Sequence, residues 1–433
     1  MATSDDSPID DSADEIFPAY YDHNLGCYWF EDERAEYIRI TEKNLLLRLR
    51  DAGFSRQADR DEELSPVERQ ILQIQQNHSV AYAAPLAGYH KGLYAMEGQR
   101  ILVINSPALI EPQPGDWPTL EVVLSNMLGS QTDYVYGWLK VALEFLRENK
   151  RGPGQALVLA GEHDCGKSLI QNLFTRLLGG RSAKPYRYMT EQSSFNSELF
   201  AAEHLIIEDE PASSDKRLRR KFGSYIKIVT VDETQSFHAK NRPALTLKPF
   251  WRLTISVNIE PHNLLILPEL DESLEDKVIL LKATKFPMPM PTRTPTERKA
   301  FWDKLVGELP AFVDFLLTWD IPTEKRSERF GITHYHHPEI RKTLDAVLPE
   351  MRMLELIDRT VLCGKSAPWE GTAAELQAML QNAEPVEASA LFDFDSAAGT
   401  YLGRLAKNVA NRVQKRGTGS GNRWVIHPPR NEA

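Results

Sequence analysis

The chain is predicted to be an α/β protein, with a phosphate-loop core between a small N-terminal α+β module and a C-terminal winged helix. Three observations carry this. "ALVLAGEHDCGKSLIQNLF", Ala156–Phe174, is an apolar run, a glycine-bounded turn and an amphipathic run, the pattern of strand, loop and helix. "AAEHLIIEDEPASS" follows, a short apolar strand ending in Glu208, Asp209 and Glu210. Near the C-terminus, a basic helical pattern precedes "QKRGTGSGNRWVIHPP", two β-like runs around a glycine-rich wing.

Bulk properties exclude several classes. With 433 residues the chain suits two to four domains, and 42% hydrophobic with 26% charged residues is a globular composition. There is no run of eighteen apolar residues, so no membrane-spanning helix is expected. "MATSDDSPIDDSADE" lacks a secretory pattern, and Cys27, Cys165 and Cys363 lie too far apart for a disulfide framework or zinc quartet; a cytoplasmic setting is expected. The net charge of −10 argues against a passive nucleic-acid coat. Its distribution is uneven, however: residues 5–15 are acidic, Lys216–Arg252 holds a basic section, and Tyr401–Arg430 has basic residues and no acidic one. Such local basic surfaces suit a polyanion gripped at defined places.

The elements follow in order. Residues 1–18 read as a disordered acidic tail and 19–112 as the α+β collar or adaptor. In the latter, Tyr28, Phe30, Tyr37, Ile38 and Ile40 supply a hairpin, "EKNLLLRLRDAGF" and "LSPVERQILQIQQNH" supply helices, and a strand pair turns at Glu97-Gly98. Residues 113–318 form the core, 319–348 a connector and 349–433 the winged helix. "THYHHPEI" gathers His334, His336 and His337, but without a nearby fourth ligand it reads as polar connector rather than zinc site. "FDFDS" at Phe392–Ser396 reads as a turn.

The chemistry is written in four pieces. Gly161, Glu162, His163, Asp164, Cys165, Gly166, Lys167 and Ser168 fit G-x-x-x-x-G-K-[ST], whose backbone N–H groups cradle phosphates while the lysine neutralises charge and the hydroxyl reaches Mg²⁺. Cys165 reads as a small filler. Nucleoside triphosphate hydrolysis also needs one carboxylate for Mg²⁺ and one for water; these are assigned to Asp209 and Glu210, with Glu208 as metal ligand if the strand ends a residue earlier. "FWRLTISVNIEP" is a strand ending in Asn258, placed to sense the γ-phosphate. Between them, "IKIVTVDETQSFHAKNRPALTLKPFWRL" reads as two β-like runs around a basic tip with His238, Lys240 and Arg242, suited to a phosphate backbone. In the winged helix, Arg404, Lys407, Arg412, Lys415, Arg416 and Arg423 are the expected DNA contacts.

In this order the four pieces resemble a superfamily 3 helicase, an AAA+ ATPase of the phage and plasmid primase-helicase type. The resemblance covers roughly residues 134–285. It implies ATP and Mg²⁺ as cofactors, with a homo-oligomeric ring, typically a hexamer, moving on single-stranded and forked DNA during replication of a phage, plasmid or other mobile element. No primase domain is legible, so a separate primase or polymerase is the implied partner. By the resemblance Lys240 grips DNA and Asn258 senses the γ-phosphate. Family members place an arginine after the asparagine strand to reach a neighbouring subunit's ATP; here "ELDESLEDKVILLKA" presents Lys277 instead. The cluster Arg217, Arg219 and Arg220 is the other source, with Arg219 or Arg220 expected as the trans residue. A DNA-binding switch for origin melting, mobile-element function or anti-phage defence, without processive unwinding, is the alternative.

Overall fold

The computed structural model describes residues 16–58, 60, 62–208, 210, 216–240, 243–346, 348–392, 394–418 and 421–429. It divides into two compact units, Met1–His337 and Pro338–Ala433, with the division inside the stretch read as a connector.

The first unit begins with an antiparallel meander, β1 (Ala19–Asp22), β2 (Cys27–Glu31) and β3 (Tyr37–Ile40), where the sequence suggested a hairpin alone. Helix α1 (Glu42–Asp51) is capped by Thr41, and α2 (Pro66–Asn77) by a Ser65–Glu68 capping box. Their apolar faces bury Leu45, Leu49 and Ile74 against Tyr28. β4 (Ser79–Val80) then lies parallel beside β1. A second sheet, in the order β5 (Tyr82–Ala84), β7 (Gln99–Val103), β6 (Gly92–Met96), turns at Glu97 and Gly98. Both turn residues have positive φ, 49° and 76°, as a tight two-residue hairpin requires.

The core of the unit is a five-stranded parallel sheet between helices. α3 (Pro118–Leu128) and α4 (Thr132–Arg147) precede β8 (Ala156–Gly161), which runs into α5 (Lys167–Leu177). β9 (Ser182–Ala183), the short helices α6 (Tyr186–Met189) and α7 (Ser197–Phe200), and β10 (His204–Ile207) follow. Then come α8 (Lys216–Val231), the hairpin β11 (Gln235–Phe237) and β12 (Leu245–Leu247), β13 (Arg252–Asn258), β14 (Val278–Ala283) and α9 (Pro295–Thr318). The sheet order is β14-β8-β13-β10-β9, every pair parallel. All six residues of β8 are buried, as a strand covered on both faces demands. Ile170, Leu173, Phe174 and Leu177 of α5 recur at helical spacing and pack beneath it.

One sequence expectation is corrected here. Ile226–Val231, read as a β-like run, is the last part of α8. The β-branched residues favour a strand locally, but Phe222, Ile226 and Thr230, four apart, are all buried, and that tertiary packing prevails over propensity. Only Gln235–Phe237 and Leu245–Leu247 pair as the hairpin.

After α9 the chain forms the hairpin β15 (Arg326–Ser327) and β16 (Gly331–Ile332). Tyr335–His337 then runs beside β14: the Leu280 amide donates to Tyr335 O at 2.7 Å and the His337 amide to Leu280 O at 2.8 Å. The histidine-rich tract therefore covers a sheet edge.

The second unit contains α10 (Pro338–Ala346), α11 (Pro349–Thr360), β17 (Trp369–Gly371), α12 (Ala373–Ala383), α13 (Pro385–Leu391), α14 (Ala397–Asn408), β18 (Val413–Thr418) and β19 (Gly421–Ile426). Its antiparallel sheet has the order β17-β19-β18. Leu356, Ile357, Leu376, Leu380, Tyr401, Leu402 and Trp424 form its own core. Among the described residues no helix is long and apolar enough to cross a membrane.

Candidate functional site

Because the central strands are parallel, their carboxyl ends share one edge. Asn258 is the register partner of Gly161, which also pairs with Ala283, while Ile207 pairs with Ile255. The loop after β8, the carboxylates after β10 and the end of β13 thus converge at the edge where open α/β sheets bind ligands.

The loop's shape depends on its glycines. Gly166, at the start of α5, has φ +95°, and Asp164 has φ +58°. A Cβ on Gly161 would lie 2.3 Å from the Ala283 carbonyl oxygen, so only glycine lets β8 pass that close to β14. Cys165 is buried, and its Sγ occupies the space beside Gly161. The Lys167 ammonium donates to Gly161 O at 3.0 Å, Glu162 O at 2.7 Å and Asn258 Oδ1 at 3.1 Å. It is a cation held at the positive end of α5, where an anion is favoured.

The loop opens into a pocket of 390 Å³. His163–Leu169 line one side with Ser256 and Asn258; Met288, Thr292, Arg298 and Phe301 line the other. The last four were not found from the sequence, because the segment after β14 carries no motif. The Thr294–Glu297 capping box was the available signal, since it fixes where α9 starts and hence where Arg298 lies. Arg298 Nη1 donates to Arg293 O at 2.9 Å and Thr292 O at 3.3 Å.

Of the carboxylates, Glu208 lies 3.5 Å from Lys184 and Glu210 is half-buried; Asp209 lies outside the described residues. Glu210 is close enough to Tyr186 to add to the upward shift that burial imposes on that phenol. Glu260, in the quoted "VNIEP" but given no role, is a further carboxylate near the lysine. A bond from its own backbone amide, one from Asn263 at 3.0 Å, and the charges of His262 and Lys167 hold it below the usual range.

Behind the loop a buried polar chain ties the strands to α5. Gln171 Nε2 donates to Thr254 Oγ1 at 2.9 Å, and His204 bridges Thr254 Oγ1 and Thr175 Oγ1 at 2.8 Å each. Complete burial pushes the His204 imidazole down to about 3.

The remaining sequence candidates fall elsewhere. His238 and Lys240 are exposed beyond β11, and Asn196 fixes the hairpin through Ser236 O and the His238 amide at 2.8 and 2.7 Å; Arg242 lies outside the described residues. Arg219 donates from Nε and Nη2 to Leu267 O at 3.1 and 3.0 Å, whereas Arg220 is exposed. Lys277 pairs with Asp276 at 2.6 Å. In the second unit Arg404 meets buried Glu350 at 3.3 Å and Arg412 meets Asp358 at 2.5 Å. Arg416 and Arg423 share Glu370, Lys415 lies over Trp424, and Lys407 is exposed.

Residues 159–272, from within β8 to beyond β13, match a family of unknown function, DUF5906. No curated protein matches the chain. The A-form apo structure of the NrS-1 C-terminal region is similar at TM-score 0.54 and 11% identity, covering 95% of this chain and 96% of that one. Another apo structure of that region gives TM-score 0.53 at 11% identity, with the same coverage. The SCCmec type IV Cch active helicase gives TM-score 0.32 at 10% identity, covering 92% of this chain and 73% of that one. At these identities the NrS-1 likeness is one of fold, and the Cch likeness is too slight to bear on it. The shared fold is mixed α/β with a central parallel sheet.

Proposed function

We propose that the chain is an ATP hydrolase of the superfamily 3, AAA+ kind, coupling Mg-ATP turnover to movement on single-stranded DNA as a replicative helicase or translocase. One observation carries this: Lys167 of the phosphate loop meets Asn258 of the neighbouring strand, both lining a 390 Å³ pocket. The strand order supports it. With β13 between β8 and β10, a γ-phosphate resting on the loop has Asn258 beside it and the carboxylates one strand further.

The residues fit a nucleoside triphosphate. The left-handed turn at Gly166, the amides opening α5 and the Lys167 ammonium form a cradle for phosphate oxygens. On binding, Lys167 exchanges carbonyl partners for phosphate oxygens and neutralises charge there. Ser168 and Asp209 would hold Mg²⁺, which neutralises charge between β- and γ-phosphates. Glu210 orients the attacking water and takes its proton, while Asn258 fixes the water against the γ-phosphate. Leu169, Met288 and Phe301 offer the apolar wall a base requires.

DNA contact is assigned to His238, Lys240 and Arg242 at the hairpin. In the second unit, read as a winged helix, it falls to Lys407 on α14 and to Lys415, Arg416 and Arg423 on the β18–β19 wing. The active form is a homo-oligomeric ring, a hexamer by the family resemblance, working with a separate primase or polymerase.

The test is ATP hydrolysis by the purified chain, with and without single-stranded DNA, alongside strand separation on a forked duplex. Mg²⁺-dependent hydrolysis that DNA stimulates, lost in Lys167→Ala, supports the reading. Hydrolysis indifferent to DNA and without unwinding replaces it with the DNA-binding switch.

A further inference from the structure

We propose that Arg329 is the arginine one copy of this chain supplies to the ATP of a neighbouring copy, an assignment that rests on reading the pocket as the ATP site of a ring. The sequence offers Lys277 at the expected position, but the Lys277 side chain is only 12% exposed and its ammonium is spent on Asp276 at 2.6 Å. The other carboxylate oxygen of Asp276 holds Arg329 Nη1 at 2.9 Å, and the Arg329 side chain is 46% exposed. Phe330 lies under the guanidinium, 5.0 Å from ring centroid to Cζ. The arginine thus presents its fork at the surface beside the lysine, with no partner among the described residues for its other donors.

The fold explains how a residue far along the chain reaches this place. Gly331 turns the hairpin with φ +77°, and a Cβ there would meet Val141 Cγ2 at 2.4 Å. Tyr335–His337 then binds the edge of β14, bringing Arg329 back to the start of that strand. Asp276 remains charged at this site: burial pushes its carboxyl up, but Lys277 and Arg329 outweigh that and hold it below the usual range.

Arg329 cannot serve its own pocket. β14 runs parallel to β8, with Val278 beside Ala156 and Ala283 beside Gly161. Residues before Val278 therefore lie at the sheet's amino edge, five strand steps or roughly 17 Å from the phosphate loop. A half-exposed arginine there can reach an ATP only on another copy. Of the two competing candidates, Arg219 directs two donors into its own chain at Leu267 O, while Arg220 is exposed on α8, the helix that follows β10, and Arg220→Ala is the comparison for this assignment. Arginine suits the task because its planar fork bridges phosphoryl oxygens as charge develops, whereas lysine is a point charge.

The ordinary alternative is a surface ion pair pinning the hairpin, which contributes little to stability or rate. Arg329→Ala separates the two. Turnover in the assembled protein is expected to fall by about 100-fold or more, with melting temperature and the affinity for a fluorescent ATP analogue unchanged, and Arg329→Lys is expected to recover only part. Mixing Arg329→Ala with Lys167→Ala, each inactive alone, should restore hydrolysis at interfaces that join an intact loop to an intact arginine. A ring in which Arg329→Ala turns over within about twofold of wild type, or mixed rings without recovery, overturns the assignment while leaving the ATPase reading standing. Hydrolysis by a demonstrated monomer overturns the ring and the assignment together.

Discussion

Lys167 Nζ and Asn258 Oδ1 lie 3.1 Å apart although 91 residues separate them in the chain. The contact follows from register, since Asn258 stands opposite Gly161 and the lysine reaches back over its own loop. The two residues are expected to separate in function. Lys167→Ala should abolish nucleotide binding and hydrolysis together, because the phosphates lose their main cation. Asn258→Ala should keep binding within a few-fold while hydrolysis falls by about 10²–10³, the scale of one positioned transition-state donor. Equal loss of affinity in both variants, by titration with a fluorescent ATP analogue, would contradict these roles.

Gly161→Ala tests whether the loop's glycine serves space rather than flexibility. The added methyl would meet a backbone carbonyl, Ala283 O at the end of β14, at 2.3 Å, and a strand backbone paired to β8 cannot give way cheaply. A loss of about 1–3 kcal/mol is expected from overpacking alone. Gly98→Ala is the control: its φ is +76° but nothing lies within 4 Å, so it should lose only about 1–2 kcal/mol of backbone strain. Nucleotide affinity should fall in the first variant and not in the second. Denaturant unfolding and nucleotide titration check both.

The loop, the strand of Asn258 and the α/β core were legible because each pairs a short-range pattern with a physical necessity: glycines where the backbone turns sharply or passes close to a neighbour, apolar runs where both faces are covered. What was not legible depends on distance. Nothing in the spacing of Met288, Thr292, Arg298 and Phe301 announces that the chain returns over the pocket. Arg329 reaches Asp276 only because Tyr335–His337 takes the free edge of β14, a pairing written in backbone hydrogen bonds rather than residue types. The Ile226–Val231 run misled for the opposite reason: its local preference is clear, but burial of Phe222 and Ile226 decides otherwise.

Charge counting along the second unit merges two kinds of basic residue that the structure separates. Arg404 faces Glu350, whose side chain is buried, and Arg412 faces Asp358. Arg404→Ala should therefore destabilise the unit by about 3 kcal/mol or more, because a buried carboxylate loses a cation. Lys407 is exposed, and Lys407→Ala should leave stability unchanged while lowering the slope of log affinity against log salt by about one for duplex DNA. Thermal melts and DNA binding at several salt concentrations distinguish them. A Lys407→Ala variant with an unaltered salt slope would remove α14 from the DNA surface.

His204 gives the fold a pH dependence whose sign is fixed by burial. Its imidazole bridges Thr175 and Thr254 and is pushed down to about 3, against an ordinary value of 6.5. Above pH 6.5 the ring is neutral in folded and unfolded chains alike, and its protonation contributes no difference between them. As pH falls from 6.5 towards 3, the unfolded chain takes up a proton that the folded chain refuses. Unfolding is then favoured by up to about 1.4 kcal/mol per pH unit, reaching about 2 kcal/mol at pH 5. His204→Gln removes the titration. It is expected to be less stable than wild type at pH 7.5, having lost part of the bridge between α5, β10 and β13, but the gap should narrow as the solution is acidified to pH 5. Parallel stability curves for the two proteins over that range, from urea unfolding at each pH, would show that His204 is not held neutral by its burial.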